Sequence, residues 1–184
     1  MTGGDAASGV LSAFLAEMNR IPWFSSCGTP LNAAETGTAA SYVAALGLGE
    51  LPVAGIADWR DAQALAQRPD WSRAWWDAEI GAEKNLHRQG ARHFGEDDVL
   101  AALTAVTEAA SSIHDSAVAA LARAHLHDQG LAKAAAGAAS QACHQAALAH
   151  LAGAGETHPF ALKFRLFSGG RWPLGIVQQR CFVF

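Results

Sequence analysis

Apolar residues return at steps of three and four along most of this chain, the spacing that lines one face of an α-helix. Val10, Leu11, Phe14, Leu15 and Met18 share such a face and predict a helix over 8–19, which Ile21-Pro22 stops. Asn32-Ala-Ala-Glu35 reads as a capping box, in which the Asn side chain takes a free backbone N–H while the Glu side chain reaches back. It predicts a helix carrying Tyr42, Val43 and Leu46 and ending at Gly47. Residues 47–57 bear Gly and Pro and read as a connection. Asp58 predicts the cap of a short helix to about Arg68, and Asp70 the cap of a longer one. The longer one carries the stripe Trp71, Trp75, Ala78, Ala82 and Leu86, with Gly90 and Gly95 at its end. Val99, Leu103, Val106, Ala110, Ile113, Ala117 and Leu121 alternate by four and three and predict a helix reaching His127, with Ser111-Ser112 its weak point. After the turn Asp128-Gln129-Gly130, residues 131–152 are the last long helix.

The C-terminal part follows a different pattern. Thr157-His158-Pro159 suits a helix start with Pro at the first position. Phe160, Phe164 and Phe167 would then share a face, and Gly169-Gly170 would close the helix. The same stretch also alternates as Phe160, Leu162, Phe164 and Leu166, which suits a strand. Helix is the favoured reading. Leu174 to Val177 and Cys181 to Phe184 are short apolar runs around Gln178-Gln179, the pattern of a β-hairpin. Large apolar residues at the end, Phe182-Val183-Phe184, imply a tail docked on the body.

These elements define the expected fold class as mainly α, a multi-helix, bundle-like single domain spanning 1–184. Residues 158–184 are its closing helix and short hairpin. At 184 residues, with 51% hydrophobic and 16% charged residues, the chain suits one domain and is too apolar for disorder. Residues 129–154 hold 12 alanines in 26. Such a helix forms readily but buries little area per residue, so it must pack close to bulkier neighbours. The rival reading, a low-complexity linker, is opposed by the anchors Leu131, Cys143, Leu148 and Leu151.

The net charge of −4 and four scattered cations in the tail, Lys163, Arg165, Arg171 and Arg180, make no clustered basic stripe, which argues against a nucleic-acid partner. No basic leader and no apolar window of membrane-spanning length are visible, so no membrane role is expected. Cys27, Cys143 and Cys181 are scattered and form no CxxC pair, which fits a reduced, cytoplasmic protein.

No nucleophile elbow, phosphate-binding loop, dinucleotide fingerprint or HExxH helix is present. The densest group of candidate ligands is Glu79, Glu83 and His87, at steps of four on one helix. His114, beside Asp115, and His144 lie on the next two helices and would complete a metal site if they converged. Carboxylates and imidazoles projecting into a bundle core are how di-iron proteins bind metal, although the Glu-x-x-His step of three is absent here. The plainer reading makes Glu83 and His87 a solvated face with Lys84 and Arg88. Of the eight histidines, His144 and His150 on the alanine helix read as packing residues, and His125 and His127 as cations at a helix end. Cys143 beside His144 is no thiolate pair, because adjacent helical residues point about 100° apart. Trp75-Trp76 reads as one core and one boundary residue.

The run Ala134-Ala-Ala-Gly137-Ala-Ala, then Cys143-His144-Gln-Ala-Ala-Leu-Ala-His150 and Ala161-Leu162-Lys163, resembles the alanine-rich, all-helical immunity proteins of bacterial toxin systems over about residues 101–164. That resemblance implies a non-enzymatic protein that binds and neutralises a cognate protein partner. The alternative expectation is a helical protein or enzyme binding a divalent metal or a small molecule through Glu79, Glu83, His87, His114 and His144. A third is a module that self-associates as a homodimer through exposed aromatics.

Overall fold

A computed structural model describes residues 4–184. The chain is mainly helical, with a small sheet near its C-terminus. The first helix, α1 (Gly4–Met18), begins earlier than the apolar stripe required. In α2 (Ala33–Ala45) the capping box is formed, with Asn32 accepting from the Glu35 N–H and Glu35 accepting from the Asn32 N–H. Asp58 caps α3 (Trp59–Ala66).

The cap of α4 (Arg73–Phe94) is Ser72, whose hydroxyl accepts from the Trp75 N–H. Asp70, the expected cap, instead pairs with Arg68 at 2.6 Å. The reason is tertiary. The Ser72 N–H donates to the Ile176 carbonyl and Trp71 bridges to Val177, so the sheet decides where the helix can start.

The long helix expected from Val99 to His127 is two. α5 (Glu96–Ala109) passes through a 3-10 turn at Ala110–Ser112 into α6 (Ile113–Arg123). The break includes Ser111-Ser112. The second half stops short of His127 because His125 turns into the left-handed region, at φ 57°. The alanine helix is α7 (Gln129–Leu151), capped by Asp128. The Phe160–Phe167 stretch is helix, not strand: α8 (Pro159–Ser168) has Pro at its first position and the His158 ring accepting from the Phe160 N–H.

Thirteen of the 23 residues of α7 are buried, eight of them alanine, and α1, α4, α5, α6 and α8 all pack on it. Alanine here is a spacing device: without long side chains, neighbouring helices approach closely on several sides. The bulk comes from the neighbours, with Phe14, Phe24, Trp59, Phe160, Phe167, Trp172 and Phe184 joining α7 in one core. A second cluster holds Tyr42, Val43, Trp75, Leu162, Leu166, Ile176 and Val183, between α2, α8 and the sheet.

The C-terminal β2 (Pro173–Val177) and β3 (Arg180–Val183) form the expected hairpin. Gln178 and Gln179 make its two-residue turn, both in the left-handed region at φ 47° and 58°. The hairpin is only part of the sheet. Residues 47–57, read as a connection, supply β1 (Val53–Gly55), which runs parallel to β3 in the order β1-β3-β2. Nothing local marks that strand. It exists because the outer edge of β3 presents unpaired backbone groups, and residues brought there by α2 pair with them.

At Gly175 the sheet requires glycine. Its φ is +135°, and a Cβ there would lie 2.5 Å from Cη2 of Trp75. The strand bulges between Pro173 and Gly175 and lets the tryptophan rings close on the backbone.

Candidate functional site

Four buried polar side chains from four helices meet where the two cores join: Tyr42 (α2), Glu79 (α4), Gln145 (α7) and Lys163 (α8). Glu79 is 2% exposed and Lys163 5%. The Lys163 ammonium donates to Glu79 Oε1 at 2.7 Å and to Gln145 Oε1 at 3.1 Å. The Tyr42 hydroxyl donates to the same Glu79 oxygen at 2.5 Å and accepts from the Trp75 indole N–H at 2.6 Å. The Gln145 amide closes the chain by donating to Glu83 Oε2 at 3.0 Å. Burial, first, and the neighbouring Glu79 charge, second, push the Tyr42 phenol well above its ordinary range.

Glu79, Lys163 and Trp75 of this network line a cavity of about 220 Å³. Trp71, Trp75, Trp76 and Trp172 line it, together with Glu79 and Lys163. Trp71 and Trp75 stand 6.0 Å apart between ring centres, and Trp75 and Trp76 4.9 Å. Ala66 and Ala138 are the small residues at its sides. Trp76, 44% exposed, is the boundary residue of the Trp75-Trp76 pair, and Trp75 is its core member.

The wall has unused hydrogen-bonding capacity. Both bonds to Glu79 fall on Oε1, and Oε2 has no partner among the described residues. Lys163 uses two of its three N–H donors. The indole N–H of buried Trp172 has no partner among the described residues.

Two depressions are larger, about 430 and 460 Å³. The first includes Cys27, Arg60 and Arg123, the second the Gly28–Leu31 loop and β1. Neither is lined by a buried charged group. Burial raises the Cys27 thiol to about 12, and Cys143 and Cys181 likewise, so none of the three is a thiolate nucleophile near neutral pH.

The five candidate metal ligands do not assemble. Glu79 and Glu83 do face inward, onto Lys163 and Gln145. His87 is displaced toward solvent, with Nε2 3.7 Å from Glu96. His114 faces its neighbour Asp115 at 3.9 Å, and His144 meets the Thr107 hydroxyl at 2.9 Å. Among the described residues no three His, Cys, Asp or Glu side chains come close enough to hold a metal ion. The geometry of a helix explains the miss. Steps of four overshoot a turn by about 40°, so His87 has rotated about 80° from Glu79. The position beside Glu79 is taken by the Lys163 ammonium.

Tyr42, Gln145, Lys163 and Trp172 escaped the sequence reading. Only one local signal marked any of them: Lys163 is a lone cation on an otherwise apolar helix face. Among the described residues no helix is long and apolar enough to cross a membrane. Comparison with protein-family models, with curated proteins and with solved structures finds no match.

Proposed function

We propose that this chain is a non-enzymatic binding protein whose ligand is a small organic molecule seated among Trp71, Trp75, Trp76 and Trp172. The observation that carries this reading is the spare hydrogen-bonding capacity on an apolar wall: Glu79 Oε2, the third Lys163 N–H and the Trp172 indole. Buried polar groups in folded proteins are ordinarily paired, so the unpaired, buried Trp172 indole N–H beside a cavity suits a partner that arrives from outside. Apolar walls with a few convergent polar groups are the common build of a ligand site. Free cysteines also fit a cytoplasmic setting.

The test is a thermal-shift screen of small aromatic and aliphatic fragments against the native chain and the cavity-filling variant Ala66→Leu. A ligand that binds only the folded state raises its melting temperature. Fragments that stabilise the native chain and leave the variant unmoved support the reading. A screen in which nothing stabilises the native chain, or in which both proteins respond alike, refutes it.

A second reading is a protein-binding surface of the toxin-neutralising kind. It is favoured by Trp76 and Ile80, 44% and 46% exposed and one turn apart on α4 beside the cavity. Exposed tryptophan is a common anchor of protein interfaces. Co-expression with the product of an adjacent toxin gene tests it. Growth rescue by the native chain, lost in Trp76→Ala, supports it, and no rescue removes it.

A further inference from the structure

Resting on the small-molecule reading, we infer that the cavity takes an uncharged, flat nitrogen heterocycle of one or two rings that presents a hydrogen-bond donor beside an acceptor. Size sets the first limit. A cavity of about 150 Å³ holds a benzene-sized molecule, and at about 220 Å³ this one has room for a fused pair of rings. Shape sets the second. Four of the lining residues are tryptophans, and indoles pack with planar rings at 4.5–7 Å between centres, about the spacing the tryptophans already keep with each other.

Charge sets the third limit. Indole faces alone would attract a cation. Here the wall already carries a buried ammonium, Lys163, bound to the carboxylate of Glu79 at 2.7 Å. The pair is neutral overall. A cationic ligand would meet Lys163, an anionic one would meet Glu79, and either would bring a net charge into a low-dielectric site. A neutral ligand avoids both costs.

The unused atoms set the fourth. Glu79 Oε2 accepts, and the third Lys163 N–H and the Trp172 indole N–H donate. A ring with an N–H or amino donor next to a ring nitrogen or carbonyl matches that wall. A hydrocarbon ring would leave all three unpaired, which costs affinity.

Adenine, benzoate and tetramethylammonium are the probes, each titrated into the full chain while the indole N–H resonances are followed by NMR. Trp172→Phe identifies the Trp172 signal. The expected result is a saturable shift of that signal with adenine, at least about tenfold tighter than with either ion, a gap of about 1.4 kcal/mol. Ala138→Leu, at the partly exposed side of the cavity, should keep the native melting temperature and lose the shift. Tighter binding of benzoate or tetramethylammonium overturns this inference and leaves the cavity as a ligand site. Equal binding of adenine to the Ala138→Leu chain also overturns it, by placing adenine elsewhere. Failure of all three probes to move any cavity tryptophan, at concentrations up to their solubility, overturns both this inference and the reading beneath it.

Discussion

Replacing Lys163 by Met removes one charge from a buried pair and leaves the other. Met keeps most of the apolar stem, so little packing is lost. What changes is electrostatic. Glu79, 2% exposed, loses the ammonium at 2.7 Å and keeps only the Tyr42 hydroxyl. Gln145 Oε1 loses its donor as well. Stranding one member of a buried ion pair costs about 3–5 kcal/mol. At this chain length that corresponds to a fall in Tm of roughly 6–20 °C. Urea unfolding at pH 7, followed by circular dichroism, measures the loss as a lower midpoint with an unchanged slope. Adding Glu79→Gln removes the second charge and should recover much of the loss, because deleting both members of a pair costs less than deleting one. A loss below about 1 kcal/mol at pH 7, the range of an exposed ion pair, would refute the reasoning, as would a double variant no more stable than Lys163→Met.

Tyr42→Phe should cost about 1–3 kcal/mol, since it leaves the Trp75 indole N–H without an acceptor and Glu79 with Lys163 as its one remaining donor, and denaturant midpoints read it directly. Because the folded-state phenol is raised above its ordinary value of 10.0, the native chain is fully stable below pH 10 and loses stability as pH climbs past it. Tyr42 is the sole tyrosine, so tyrosinate absorbance should rise only as the chain unfolds, and Tyr42→Phe should flatten the alkaline loss of Tm. Ala139→Leu, at a fully buried position of α7, should destabilise by about 1–3 kcal/mol through overpacking, and an unchanged Tm would show that α7 does not sit closely against its neighbours. Changing Gln178-Gln179 to Asn-Gly, the residues that favour two left-handed positions, should stabilise the hairpin turn, because the left-handed region costs an ordinary residue roughly 1–2 kcal/mol, and the gain is visible as a higher Tm.

Local signals decided much of this molecule. The Asn32–Glu35 capping box, Asp58 at the head of α3 and Pro159 at the head of α8 each act within a few residues, and each appears in the structure as its pattern implies, whereas the stripes hold in part, since Val10 of α1 is exposed and Trp71 precedes α4. The hairpin at Gln178-Gln179 was legible for the same reason, although its turn residues are unfavourable ones. The alanine content of 129–154 likewise implied a helix packed closely by bulkier neighbours, and α7 is that helix.

What spacing along one helix could not decide was which side chains from different helices meet. Glu79 and Glu83 were visible as a pair, but their partners, Tyr42, Gln145 and Lys163, lie 37 to 84 residues from them in pairings that no local pattern encodes. The metal site expected from Glu79, Glu83, His87, His114 and His144 failed at that step, when rotation along α4 carried His87 outward and Lys163 took the place beside Glu79. The strand at Val53–Gly55 and the shift of the α4 cap from Asp70 to Ser72 have the same origin, since both are set by hydrogen bonds to a sheet formed more than 100 residues later. Helix formation is governed by dihedral preferences and capping over short range, so most helices follow from local sequence, while the start of α4 is set by the sheet. Burial and long-range hydrogen bonding are settled only when the helices pack, so the tryptophan cavity and its buried ion pair belong to the tertiary structure alone.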